Sequence, residues 1–163
     1  MSSRERDRDV QGRARNARPR DAYGRPLPRG AVGVERVPDD LSLTAEETLR
    51  EAQHLIDTGQ PFHAHEVLEA RWKSGPDDER ELWQGLAQVA VGLTHLQRSN
   101  ARGAAALLRR GADRVTVYAA ASPYGIDADG VVRHARELAA RVESEGLTAV
   151  PEADLRPSLT VER

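Results

Sequence analysis

Residues 77–99, DDERELWQGLAQVAVGLTHLQRS, decide the fold. At about 100° per residue, Leu82, Leu86, Val89, Leu93 and Leu96 fall on one side of a helix, while Gln84, Gln88, Val91 and His95 form a second row nearly opposite. A surface helix shows one apolar stripe, so interior-type residues on two sides place this helix at the centre of a helical array. Asp77, Asp78 and Glu79 match the positive amino-terminal end of such a helix, which is expected to run from Asp77 to about Ser99.

Four further helical patterns flank it. Thr44 and Glu47 have capping-box spacing, after which Ala45, Leu49, Ala52, Leu55 and Ile56 form one stripe and Gly59 is a natural stop. A second helix opens on Pro61, a favoured first-turn position, and ends near Ser74-Gly75-Pro76. Asn100 is suited to cap a fourth, whose Ala101, Ala104, Ala105, Leu108, Ala112 and Val115 form a small-residue stripe made for close helix contact. The β-prone run Val115-Thr116-Val117-Tyr118 lacks a pairing partner and is read as helical. After the Ser122-Pro123-Tyr124-Gly125 turn, Asp127 or Asp129 starts a fifth helix with Val131, Ala135, Leu138 and Val142 facing inward and Gly146 as its stop. The expected fold class is all-α, a compact array of about five helices.

The 163-residue chain has 39% hydrophobic residues and a net charge of −2, enough for one compact domain with tails. Residues 1–40 are rich in Arg, Gly, Pro and Asp without sustained apolar periodicity, and are expected to form a disordered basic arm. The helical domain is assigned to residues 41–146, and residues 147–163 are expected to form a loose tail. Residues 1–36 hold ten Arg against five acids, so the body is acidic. Asp7, Asp9 and Asp21 interrupt the basic arm and only Tyr23 accompanies it, which argues against a nucleic-acid surface. The absence of cysteine excludes disulfides, thiol nucleophiles and Cys-ligated metals. No apolar run reaches the roughly 20 residues needed to span a membrane, so no membrane partner and a cytoplasmic location are expected.

The candidate chemistry lies on the second helix, in His65-Glu66-Val67-Leu68-Glu69 and Trp72. Helical geometry gathers Phe62, His65, Leu68, Glu69 and Trp72 within about a third of a turn, with Glu66 at the edge and Val67 and Arg71 pointing elsewhere. If this stripe faces the core, its buried polar groups need partners. His65 and Glu69, four residues apart, form a metal half-site that His95 would complete from the central helix. Glu66 would act as the general base on metal-bound water, the logic of HExxH hydrolases with Glu in the last position, an HExxE motif. The oxygen- and nitrogen-rich set suits zinc, manganese or iron, acting on a small substrate. Phe62, Trp72, Gln84, Gln88 and Asn100 would line or support the site.

A non-enzymatic reading uses the same residues. A His/Glu pair at this spacing also simply hydrogen-bonds, and Gln84, Gln88 and His95 would complete a core network in a structural or interaction domain, with self-association through Trp-bearing or Ala-rich surfaces. Trp72 and Trp83 read first as packing anchors. His54, His63 and His134 read as solvated. Gly85, Gly92, Gly103 and Gly111, costly within helices, point to close helix approach or room for a ligand.

The run Phe62-His63-Ala64-His65-Glu66-Val67-Leu68-Glu69, then Trp72, Gln84-Gly85-Leu86, Gln88, His95, Asn100 and Gly103, resembles a small bacterial and archaeal family, the domain of unknown function 309. The resemblance spans about Thr44 to Gly146. It implies an all-helical fold with these polar residues clustered between helices, and no established reaction. One departure concerns the residue before the asparagine, usually Gly in the family and Ser99 here.

Overall fold

The computed structural model describes residues 43–147 and 150–161, together with a two-residue antiparallel pair, Asp7–Arg8 with Ala14–Arg15, in register Asp7 to Arg15. Apart from that pair, the expected disordered arm lies outside the described residues. Five helices follow in order: α1 Ala45–Asp57, α2 Pro61–Ser74, α3 Arg80–Gln97, α4 Ala101–Val115 and α5 Ala128–Glu145. Each packs on its sequence neighbours. α3 makes the two most extensive interfaces, with α4 and α2 on different sides, while α1 lies on α2 and α5 on α4. The two-faced pattern of residues 77–99 thus marks the central element.

The caps are those the side chains dictate. Thr44 and Glu47 exchange both bonds of a capping box, and Asn100 and Asp127 accept from the Gly103 and Gly130 amides. α1 ends with Gly59 at φ 78°, its amide donating to the Ile56 carbonyl and that of Gln60 to Leu55. α3 ends the same way, Ser99 donating to Leu96 and Asn100 to His95. This is the Schellman arrangement, which needs a left-handed residue just past the helix. Ser99 adopts φ 61°, taking the conformation that glycine takes at no steric cost.

Two boundaries differ from the sequence reading. Pro76 leads into a 3-10 turn at Asp77–Glu79 before α3 begins at Arg80, and Thr116–Tyr118 winds as a 3-10 turn beyond α4. The Tyr118 hydroxyl donates to the Asp78 carbonyl at 2.8 Å, tying those two turns together.

The α3–α4 crossing explains three of the helical glycines. A Cβ on Gly92 would press on the Leu108 side chain at 2.8 Å, while one on Gly85 would lie 3.0 Å from the Gly111 carbonyl oxygen and one on Gly111 would lie 2.7 Å from that of Gly85. These backbones touch, so the glycines serve close approach. Gly103 instead packs on the Asn100 cap. Around the crossing, Ala104, Leu108, Ala112 and Val115 of α4 are buried with Leu82, Leu86, Val89 and Leu93 of α3. On α5, Val131, Ala135, Leu138 and Val142 face the core, as their spacing indicates.

The carboxy-terminal stretch corrects the loose-tail reading. Leu159 is 2% exposed, its amide donates to Gln53 Oε1 at 2.8 Å, and Gln53 Nε2 donates to the Pro157 carbonyl at 3.0 Å. Extended backbone at 159–161 pairs with 125–127 through Asp127 to Leu159 and Val161 to Gly125 bonds. A short turn at Glu152–Leu155 places the Asp154 carbonyl against His134 Nε2 at 2.6 Å, and the Asp154 carboxylate against Arg141. His134 is therefore a half-buried anchor for this segment rather than a solvated histidine.

Candidate functional site

The rotation of α2 determines what its polar residues do. The apolar set Ala64, Val67 and Leu68, spaced i, i+3, i+4, is buried, and His63 beside it is 1% exposed. Phe62, His65, Glu69 and Trp72, expected to face the core, are half-buried along its flank. The expectation gave weight to the largest rings, whereas the smaller residues are the ones fully buried. His63, expected in solvent, is the interior imidazole. Its Nδ1 lies 3.0 Å from Glu66 Oε1, and its Nε2 is buried without a hydrogen-bond partner.

His65 and Glu69 do come together. Nε2 of His65 is 3.0 Å from Glu69 Oε2, with side-chain exposures of 22% and 32%. The other ring nitrogen, Nδ1, lies 3.2 Å from the Phe62 carbonyl, which fixes the ring with Nε2 toward the carboxylate. Lys73 Nζ reaches the second carboxylate oxygen at 3.0 Å. The hydrogen bond from His65 is the main cause that lowers the Glu69 carboxyl to about 2; burial opposes it and Lys73 adds to it.

The remaining proposed ligand and base are engaged elsewhere. Glu66 faces His63. His95 Nδ1 accepts from the Asn100 side-chain amide at 3.0 Å, and its pKa lies below the ordinary imidazole value, first through desolvation and then through neighbouring Arg98. Asn100 thus joins the α4 cap to His95. Gln84 Oε1 accepts from Arg114 of α4 at 3.3 Å. Gln88 Oε1 and Trp72 Nε1 are buried without a hydrogen-bond partner. Among the described residues, no three His, Asp or Glu side chains are grouped so as to hold a metal ion.

The two half-buried rows nevertheless share a seam. Arg98 continues the α3 row of Gln84, Gln88, Val91 and His95, and its guanidinium lies 5.5 Å from the centre of the Phe62 ring that begins the α2 row. The rows run side by side there; His65 bonds to Glu69, Glu66 to His63 and His95 to Asn100, while Gln84 reaches across to Arg114 of α4.

The polar hub that does join elements was not apparent from sequence. Glu79 accepts from Arg71 of α2 at 3.4 Å, from Trp83 Nε1 of α3 at 3.0 Å and from the Tyr124 hydroxyl at 2.6 Å. Arg71 also stacks on Trp83, which is 0% exposed, and the Trp83 and Tyr124 rings lie 6.1 Å apart. Burial would raise the Glu79 carboxyl, but the bonds from Tyr124, Trp83 and Arg71 outweigh it and hold it below the ordinary range. The same bond raises the Tyr124 phenol. Glu79 and Trp83 are four apart and legible as a pair; Arg71 and Tyr124 reach it only through the fold.

The model of a family described as a domain of unknown function (DUF309) matches residues 49–107. An uncharacterized protein of Aquifex aeolicus is 31% identical over 86 residues, covering 52% of this chain and 26% of that protein. The uncharacterized protein YpuF of Bacillus subtilis is 44% identical over 48 residues, 29% of this chain and 28% of that protein. The matches therefore span 26% and 28% of these curated relatives' own length. No solved structure matches. Most of α1, all of α2 and α3, and the first half of α4 lie within residues 49–107, and over this segment the chain is similar to the domain of unknown function 309 family.

Proposed function

We propose that this is a non-enzymatic structural and interaction domain, in which the polar residues of α2 and α3 fix helix register and the half-buried row Phe62, His65, Glu69 and Trp72 is its contact face. One observation carries the reading: His65, Glu66, Glu69 and His95 are each engaged with a near neighbour in sequence, so none is left aimed at a common point. Trp72 gives this half-buried row the large aromatic ring characteristic of contact centres. A second copy of the chain is the partner this reading names. Sedimentation velocity over a concentration series tests it. The wild-type chain should associate and Trp72→Ala should not; a monomer at every concentration refutes this part.

A second reading has one specific observation in its favour. The Phe62 carbonyl orients His65 so that Nε2 and the Glu69 carboxylate converge, which is half of a zinc, manganese or iron site. Glu66 as base and His95 as third ligand would require both to leave their present partners. Elemental analysis after purification without chelator separates the readings: stoichiometric metal, lost in His65→Ala, supports the hydrolase.

A further inference from the structure

Away from the α2–α3 seam, a half-open cleft of about 820 Å³ lies between α1 and the carboxy-terminal segment. Leu49, Tyr124 and Val161 give it apolar walls, and Arg50 and His54 stand one turn apart along α1. Its size is that of small-molecule sites, which combine apolar walls with a few polar groups. Tyr124 at 39% and Val161 at 68% are two of three large hydrophobic residues exposed among the described residues, and both line this cleft.

The walls are held in place from behind. The Tyr124 hydroxyl is fixed by Glu79 and its ring lies near Trp83, while Val161 is pinned by its bond to the Gly125 carbonyl. Gln53 and Asp57, also in the wall, are bonded to each other, and Gln53 holds the tail. Arg50 and His54, by contrast, have no side-chain hydrogen bond or ion pair among the described residues, a state Arg50 shares with Arg102, Arg110 and Arg133, whereas Arg71, Arg80, Arg109, Arg114, Arg136, Arg141 and Arg156 are all paired with acids. The acid of this wall without such a bond, Glu46, sits one turn before Arg50.

We propose that the cleft binds a small organic carboxylate with an apolar body, its carboxylate on the Arg50 guanidinium near His54 and its body between Leu49, Tyr124 and Val161. A guanidinium fork matches a carboxylate, and the apolar walls require more than an inorganic ion to cover them. Isothermal titration of the full chain with hydrocinnamate, hydrocinnamyl alcohol and inorganic phosphate tests this. Hydrocinnamate should bind at one site, with the alcohol and phosphate each weaker by about three- to five-fold, the upper end expected for a charge pair at an exposed arginine. Arg50→Ala should lose about three- to five-fold for hydrocinnamate while melting as the wild type does, because its side chain is exposed. Val161→Asp should also weaken binding, and Glu46→Gln should strengthen it. The proposal is overturned by the absence of saturable hydrocinnamate binding at millimolar concentration, by equal binding of acid and alcohol, by phosphate binding as well as hydrocinnamate, or by an Arg50→Ala chain that binds unchanged.

Discussion

Replacing Glu79 with alanine should cost more stability than removing any other charged side chain of the domain. The carboxylate is 17% exposed and accepts from three donors on three elements. Its loss leaves the Trp83 indole N–H unpaired inside the core and the Arg71 guanidinium, 15% exposed, without its acid. Each stranded buried donor costs about 1–3 kcal/mol, and the exposed Tyr124 hydroxyl adds less because water replaces its acceptor. The total is about 3–5 kcal/mol, a large share of the 5–15 kcal/mol typical of a domain. Glu79→Gln keeps an acceptor and loses the charge, so about 1–2 kcal/mol is expected. Urea unfolding at neutral pH, with unchanged slope, gives both values.

The same substitution carries a pH signature. The folded carboxyl titrates below its unfolded value of about 4.3, so the native state binds its proton less readily. Its stabilisation is therefore complete above about pH 5 and fades as pH falls through the folded pKa. Glu79→Gln should flatten the acid limb of the stability curve. A Glu79→Ala loss under 0.5 kcal/mol, or an acid limb identical in the glutamine variant, would refute the hub.

Other perturbations have expected outcomes. Gly111→Ala forces a Cβ to 2.7 Å from the Gly85 carbonyl oxygen, so despite better helix propensity it should cost about 1–3 kcal/mol in urea unfolding. Ser99→Gly should stabilise by about 0.5–1 kcal/mol by relieving a left-handed serine, read as a higher melting temperature. A chain ending at Arg156 loses buried Leu159 and the Gln53 bonds, and should unfold about 3 kcal/mol more easily. A double-mutant cycle on His65 and Glu69 should return a coupling below about 1 kcal/mol at neutral pH, since the pair is partly solvated and lies within one helix. That coupling should fall as pH drops toward 2, where the carboxyl takes up its proton.

The helices were legible because local chemistry sets them: Thr44, Pro61, Asn100, Asp127, Gly59 and Gly146 mark helix ends whatever the rest of the chain does. The two-sided pattern around Leu86 and Gln88 likewise identified the central helix. The rotation of α2 was not legible. Within one helix, a stripe of Phe62, Leu68 and Trp72 competes with one of Ala64, Val67 and Leu68, and only the fit against α3 decides between them. That choice exchanges the fates of His63 and His65. Contacts between distant segments, Arg71 and Tyr124 on Glu79 or Leu159 on Gln53, depend on backbone placement that periodicity does not encode. Ser99 is the instructive case: it stands where the resembled family usually has Gly, and the Schellman bonds hold it in a glycine-like turn.

The most direct test of the central claim, that the α2–α3 polar residues are paired for structure and not for metal chemistry, is thermal unfolding of the chelator-treated chain with and without zinc, manganese or ferrous iron. The account predicts that metal leaves the melting temperature of each chain unchanged, the wild type, His65→Ala and Glu69→Ala alike. A metal-dependent rise in the wild type that either substitution abolishes would contradict it.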